Sequence, residues 1–188
     1  MPLPPELQRI ADEIGDADRA ADAISAAVTD EQFHWRPDGT GWSIAQCLDH
    51  LAVINAIYMK ALQAGVDQAN ARGWRRRGPS VPGLIGGWFA RSMEPPVTRR
   101  LSAPAGTQPS PRRDRGEILG AYHAAHDQFR LILAECADLD TNRATFRNPF
   151  IKVVRVKVSS GLRVIPAHDR RHLWQAKQIR RRQGFPNA

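Results

Sequence analysis

Four stretches of helical periodicity constrain the fold of this chain more than any other feature. In each stretch, apolar residues recur every three or four positions, which places them on one face of a helix. The stretches span about residues 5–28, 43–65, 114–137 and 160–180. Because amphipathic helices bury their apolar faces against one another, the sequence predicts an all-α fold, an antiparallel four-helix bundle. We expect a single domain over residues 1–188, since this length suffices for one core.

Local signals support the beginnings of the second and fourth helices. Ser43 is a favourable N-cap, and Gln46 three residues later completes a capping box. The fourth helix begins either near Ser160 or at Pro166. Proline is tolerated in a first helical turn, and further inside it kinks a helix that started earlier, so both beginnings stay open.

The connection between the second and third helices is long and rich in proline, glycine and arginine. Residues 66–111 have little periodicity, and short helical turns are expected only around Leu84–Ser92. A loop of this length either covers a functional pocket or packs on the surface as an insertion, and the sequence does not choose between the two. The alternating segment Ile151–Val158 is typical of a short strand. It has no evident partner, so we interpret it as extended chain leading into the last helix.

Composition argues against several classes of protein. No stretch approaches the ~20 consecutive apolar residues that a membrane-spanning helix needs, and the acidic, amphipathic start does not resemble a signal peptide. The two cysteines, Cys47 and Cys136, do not form a disulfide framework. We therefore expect a cytoplasmic protein with no membrane partner.

The basic charge raises the question of nucleic-acid binding. The net charge is +8 at pH 7, with arginine clusters at residues 72–77 and 180–182. Basic clusters with an aromatic residue such as Trp74 can bind phosphates and stack on bases. However, the sequence has no zinc-finger spacing, no RNP motif and no basic helix before a zipper. We expect a solvated basic surface and no specific nucleic-acid partner.

The strongest local signal for chemistry is the pair His168 and His172. Histidines four residues apart on a helix have Cβ atoms ~5–6 Å apart on one face, so both imidazoles can reach one metal ion. This spacing alone is weak, because surface or capping histidines produce it too, and no glutamate follows His168 as the H-E-x-x-H motif requires. A third histidine would strengthen the metal interpretation, and the sequence offers His34, His50, His123 and His126.

The four candidates differ in their local settings. His34 lies in a turn-rich stretch and is interpreted as a surface residue. His123 and His126 are three residues apart on the third helix, and we expect one to be half-exposed and the other to pack beside Tyr122. His50 lies in the second helix at the edge of an apolar stripe, where a histidine is more often a core residue than a ligand.

Several segments of the sequence resemble the DinB/YfiT-like superfamily. The segment WRP at residues 35–37, followed by GWSIAQCLDHL at 41–51, resembles the family's second-helix signature. The segment PAHDRRHLWQ at 166–175 resembles its fourth-helix signature and contains the H-x-x-x-H spacing. NPF at 148–150 resembles the lead-in found in one subfamily. The resemblance covers about residues 7–182.

The resemblance implies that one histidine of the second helix and two of the fourth hold a divalent metal ion. In this sequence the matching positions are His50, His168 and His172. Three imidazoles suit several ions, so zinc, nickel, copper, iron and manganese all stay open. A divalent ion with three neutral ligands and an open position activates a bound water or thiol near neutral pH.

The resemblance also sets the expectation for activity. Relatives include thiol S-transferases, an isomerase and a hydrolase-like protein, and dimers are plausible in the family. We therefore predict a divalent-metal-dependent enzyme of the thiol transferase or hydrolase type, with a small-molecule substrate such as a low-molecular-weight thiol, and a homodimer. The alternative is a metal-binding, stress-associated protein without catalysis. No catalytic residue is assigned. Asp49 and Asp169 adjoin the ligands but turn away on their helices, which suits a supporting or surface role, and candidate pocket residues are Tyr58, Tyr122 and Gln175.

Overall fold

The computed structural model describes residues 2–97, 103–104, 106–151 and 153–187. In this part of the chain the helices are α1 (Pro5–Ala26), α2 (Asp30–His34), α3 (Ile44–Ala71), α4 (Leu84–Met93), α5 (Arg115–Cys136) and α6 (Val158–Ile179). A 3-10 turn spans Pro37–Gly39, and the two strands are β1 (Thr145–Arg147) and β2 (Arg155–Lys157). The four long helices predicted from periodicity are therefore present, and the all-α fold is confirmed.

The four long helices bury their apolar stripes against one another. Helix α3 packs against both α5 and α6, while α1 covers the other side of the same pair. The buried side chains form two clusters, one including Leu62, Phe129, Phe146 and Leu162 and the other including Phe33, Leu48, Leu51 and Tyr122. None of the helices in the described ranges is long and apolar enough to cross a bilayer.

The second long helix starts as predicted but ends later. The Ser43 hydroxyl accepts a hydrogen bond from the Gln46 backbone N–H, and the Gln46 side chain accepts one from the Ser43 N–H, both at 3.1 Å. The sequence prediction ended this helix near Gly65, whereas α3 continues to Ala71. A Cβ at position 65 would lie 3.0 Å from the Val158 side chain. This glycine therefore allows α3 to approach the start of α6 closely and does not end the helix.

The interpretation of residues 151–158 as unpaired extended chain was wrong for residues 155–157, and residue 152 lies outside the described residues. Strand β2 pairs antiparallel with β1, with Phe146 opposite Val156. The partner strand is three residues long, too short for a period-two pattern to be visible in the sequence. Helix α6 starts directly after β2 at Val158, so Pro166 lies inside the helix and the alternative with the earlier start is confirmed.

In the described part of the long connection between α3 and α5, the residues expected to form short helical turns form the continuous helix α4. Helix α4 packs on the start of α6, where the Gly83 N–H donates to the Ser160 hydroxyl at 3.1 Å. At the other end of α4, the Arg170 guanidinium donates to Glu94 at 2.8 Å and to Glu13 at 3.0 Å. Both ends of α4 are thereby attached to α6.

The close contact between α6 and β1 predicts that a substitution at Gly161 lowers stability. A Cβ there would lie 2.6 Å from the ring of Phe146. We expect Gly161→Ala to lower the free energy of unfolding by about 1–3 kcal/mol, although alanine is the better helix former. Gly120 on α5 is the matched control, since a Cβ at that position would meet no other atom within 4 Å. Gly120→Ala should raise stability by up to ~1 kcal/mol, and urea unfolding curves that moved both variants in the same direction would contradict the tight contact.

Candidate metal centre

Three histidines from two helices meet on the inner side of the bundle. His50 projects from α3, and His168 and His172 project from α6, where they are one turn apart. Their ring centroids are separated by 5.3 Å (His50 to His168), 4.7 Å (His50 to His172) and 4.6 Å (His168 to His172). One nitrogen from each ring lies within 4.8 Å of the others, so the group could hold a metal ion. The structure thus brings together the three residues that the resemblance singled out.

A backbone carbonyl sets the orientation of His50. Its Nδ1 lies 2.7 Å from the carbonyl oxygen of Thr107, which is itself fully buried. Because a carbonyl only accepts hydrogen bonds, Nδ1 must carry the proton, and Nε2 then has the free lone pair. A second hydrogen bond of this kind fixes the tautomer of metal-binding histidines in general. Thr107 belongs to the long connection, which therefore takes part in the site.

His172 has a ring nitrogen that the described protein residues do not satisfy. Its Nδ1 is buried and has no hydrogen-bond partner among them. The indole of Trp42 stacks on the same ring, with centroids 5.6 Å apart and planes inclined by 24°. Buried polar atoms are normally paired, so an unpaired ring nitrogen beside two other imidazoles is what a ligand set without its ion presents. This observation supports the fit of the site to a metal.

The environment keeps the three imidazoles neutral. Burial, together with the nearby His50 and Arg171, lowers the pKa of His168 to about 3. Burial and the neighbouring histidines likewise lower the pKa of His172 to about 2. Burial also lowers the pKa of His50, against the opposing effects of the Thr107 hydrogen bond and of Asp49. Neutral imidazole is the form that binds metal ions, so the site is ready for a ligand role at physiological pH.

The two acidic residues next to the histidines in sequence serve other partners. Asp49 accepts hydrogen bonds from the Ser110 backbone N–H at 2.8 Å and from Arg113 at 3.0 Å. Asp169 accepts one from Asn55 at 3.1 Å. Both carboxylates are buried, so the surface role is wrong, and a supporting role towards the three histidines stays a prediction.

A buried ion-pair network lies next to the three histidines, and no pattern in the sequence predicted it. His126 on α5 packs against Tyr122 as predicted, with ring centroids 4.3 Å apart. Its Nδ1 lies 2.6 Å from Asp18 of α1 and its Nε2 3.0 Å from Asp169 of α6. Although burial opposes the charge, these two carboxylates raise the pKa of His126 to about 9. His126 is therefore a buried imidazolium that joins three helices, and no local pattern distinguishes Asp18 from the surface acids around it.

The other histidines lie apart from the centre. His123 contacts Asp18 and Asp22 and is half-exposed, as predicted for one member of the pair on α5. His34 is more enclosed than the surface position predicted for it, because its ring lies 3.0 Å from the carbonyl oxygens of Asp30 and Arg113. The loop 106–113 covers it, which the turn-rich local sequence did not reveal.

A cavity of about 1130 Å³ opens beside the three histidines. Tyr58 and Gln175 line it as predicted, whereas Tyr122 is fully buried in the core and does not. Phe89 and Met93 of α4 also line it. Of the two interpretations of the long connection, the structure favours the one in which it covers a pocket.

Comparison with known proteins gives one result that agrees with this geometry. No curated protein and no solved structure matches the chain. A family model described as the DinB superfamily matches residues 15–176. The matched region runs from within α1 into the last turns of α6 and includes all three histidines. The chain therefore belongs to the DinB superfamily.

Proposed function

We propose that this protein binds one divalent metal ion through His50, His168 and His172 and is a metal-dependent enzyme acting on a small molecule. The observation that carries the proposal is the meeting of three buried, neutral imidazoles beside a large cavity. A purely nitrogen ligand set suits zinc, nickel, copper and iron better than manganese, which prefers oxygen ligands. When bound, such an ion supplies Lewis-acid activation of a nucleophile near neutral pH.

The number of ligands favours catalysis over a purely structural role. Structural sites for ions such as zinc are usually closed by four protein ligands, whereas catalytic sites keep three and an open position. Within the described residues the cluster consists of three histidines, and its neighbours Asp49 and Asp169 are engaged elsewhere. The presence of three histidines and no fourth protein ligand among the described residues weighs against a non-catalytic metal-binding protein.

The cavity wall favours thiol transfer over hydrolysis. Asp38 is the one carboxylate that lines the cavity among the described residues, and it lies in the 3-10 turn rather than on α3 or α6. Activating a water molecule is helped by a positioned general base, whereas a thiol, with a pKa near ~8.5, needs little assistance to lose its proton. We therefore propose a low-molecular-weight thiol as one substrate.

The test is a metal and activity assay on protein purified without a histidine tag. Samples loaded with zinc, nickel or manganese are mixed with a low-molecular-weight thiol and chlorodinitrobenzene, and loss of the thiol is followed. We expect metal-dependent consumption that His172→Ala abolishes. Stoichiometric metal without turnover on thiol or ester substrates would support the non-catalytic alternative, and no bound metal would contradict both.

The low pKa values of the ligands predict how stability depends on pH. In the unfolded chain histidine titrates near ~6.5, whereas in the folded metal-free protein the pKa values of His168 and His172 are about 3 and about 2. Below pH ~6.5 the unfolded state therefore binds protons that the folded state does not, and the metal-free protein should lose stability as the pH falls.

The same values predict that metal binding survives mild acid. Between neutral pH and about pH 5.5, His168 and His172 of the folded site take up no protons that compete with the ion, and burial also lowers the pKa of His50. The melting temperature with and without chelator should therefore differ by a similar amount at both pH values. A chelator effect that disappeared at the lower pH would mean that these imidazoles titrate as exposed histidines do.

A homodimer in the cytoplasm is part of the proposal. Leu84, Ile85 and Trp88 on α4 are mostly exposed, and exposed apolar patches of this kind often mark protein interfaces. Cys47 and Cys136 are buried and unpaired, which agrees with a reducing compartment. Light scattering on the wild type and on Trp88→Ser tests the dimer, which the substitution should weaken.

A further inference from the structure

Part of the cavity wall is uncharged and mainly apolar, although Asn55 and Asn148 also line the cavity. The part that we call the apolar arm is lined by Tyr58, Phe89, Met93, Phe150, Ile151 and Ile165. Ile165 lies one turn before His168 on α6, and Tyr58 lies two turns after His50 on α3. Because the end of α3 contacts the start of α6, these positions lie on the same side of the histidines. Each of these six side chains is uncharged.

The charged residues of the cavity wall are mainly basic. Arg171, Gln175, Gln178 and Arg182 line the cavity at spacings of three and four residues, so one stripe of α6 and of the turn after it faces the cavity. Arg181 lines it too, and the one carboxylate among the described lining residues is Asp38. Arg171 is 8% exposed, and in α6 it comes three residues after His168 and directly before His172. The wall thus places positive charge directly beside the histidines.

The size and charge of the cavity together define a ligand. Its volume of about 1130 Å³ exceeds the ~300–1,000 Å³ of most small-molecule sites, so an extended ligand fits. Guanidinium groups bind carboxylates and phosphates through paired hydrogen bonds. A divalent ion held by neutral histidines would add further positive charge to the same wall, which disfavours a cationic ligand.

We propose that the cavity binds an amphiphilic anion, with its alkyl or aryl part in the apolar arm and its carboxylate or phosphate beside Arg171. Arg181 and Arg182, in the turn after α6, extend the positive charge beyond the histidines. This inference deepens the proposed function, since it names the substrate class that would be presented to the metal centre. The binding itself depends on side chains of the protein and does not require the ion.

The experiment measures binding to chelator-treated protein by calorimetry, so that metal coordination cannot contribute. Three probes are used below their micelle concentrations: dodecanoate, octanoate and dodecyltrimethylammonium. Dodecanoate should bind at least about tenfold more tightly than octanoate, because its four additional methylene groups are buried in the apolar arm. It should also bind at least about tenfold more tightly than the cation with the same chain, because the wall bears arginines.

Matched variants locate the two parts of the ligand. Arg171→Gln should remove most of the preference for the anion, whereas Arg180→Gln should not, since Arg180 does not line this cavity. Phe89→Ser should weaken dodecanoate binding several-fold, whereas Trp88→Ser should leave the affinity for dodecanoate unchanged, since Trp88 is exposed and does not line the cavity. Circular dichroism checks that each variant is folded, and the comparison of probe charges on the wild type needs no variant.

The outcomes distinguish this inference from the proposed function. Equal affinity for the anion and the cation, affinity independent of chain length, or a larger effect of Trp88→Ser than of Phe89→Ser would overturn the inference. Any of these together with metal-dependent thiol consumption would leave the proposed function standing. Selective binding of dodecanoate without any turnover would support the inference and count against the enzyme.

Discussion

Replacing any one of His50, His168 and His172 by alanine is expected to abolish stoichiometric metal binding. Each substitution leaves two imidazoles, and no other metal-binding side chain of the described residues completes the cluster. Loss of a residue that merely supports a ligand typically lowers metal affinity by ~10–100-fold, so loss of a ligand should exceed this range. Metal content after dialysis, measured by mass spectrometry, gives the stoichiometry directly.

His123→Ala is the matched control for the three ligand variants. This histidine is half-exposed, contacts Asp18 and Asp22 and lies outside the cluster, so the variant should retain its metal. Thermal melts should show that all four apo variants are folded, because both apolar clusters remain intact. If a ligand variant kept one metal per chain while His123→Ala lost it, the assignment of the site would be wrong.

The second large effect is expected at His126, through stability rather than metal content. His126→Ala would remove the cation shared by the fully buried Asp169 and by Asp18, which keeps its ion pair with Arg130. Removing one partner of a buried ion pair typically costs about 3–5 kcal/mol. The partly exposed His123 makes a similar contact with Asp18, but its loss should cost less than about 1 kcal/mol. Urea unfolding of metal-free samples would measure the loss of stability in His126→Ala and in His123→Ala. Equally small losses in the two variants would mean that His126 is not a charged residue of the core.

The raised pKa of His126 also predicts an alkaline limit to stability. The folded-state pKa of about 9 lies above the unfolded value of ~6.5. The stabilisation that charged His126 provides is therefore complete below pH ~6.5 and is lost as the pH rises through about 9.

The partner of His126, Asp18, has a folded-state pKa of about 2, below the unfolded value of ~3.9. The stabilisation from ionised Asp18 is therefore present above pH ~3.9 and is lost as the pH falls through about 2.

Measuring the free energy of unfolding at a series of pH values checks the alkaline loss of stability that we attribute to His126. Between about pH 6.5 and 9 the metal-free wild type should lose stability, whereas His126→Ala should show a much flatter profile over the same range. If both proteins had the same slope, other groups would have to account for the alkaline limb. Chelator must be present throughout, so that metal binding does not contribute to the slope.

The long helices could be predicted from the sequence because their signals are local. The apolar spacing of α3, the reciprocal hydrogen bonds of Ser43 and Gln46, and the spacing of His168 and His172 all involve residues within one or two helical turns. Local geometry was enough to place two imidazoles on one face of α6. The local sequence around His50 favoured a core residue instead of a metal ligand. Only the family resemblance indicated that His50 joins His168 and His172.

The remaining features depend on contacts between residues far apart in the chain, and only the tertiary structure decided them. The carbonyl of Thr107 that orients His50 lies 57 positions away along the chain. Asp18 and His126 are 108 positions apart. Strand β2 lacked a visible partner because β1 is too short to show a pattern, and Gly65 looked like a helix end until the fold placed Val158 against it. Periodicity shows which face of a helix is buried, whereas packing sets the partner of that face. For this reason the sequence located the three histidines of the candidate metal centre but not the residues that hold them in place.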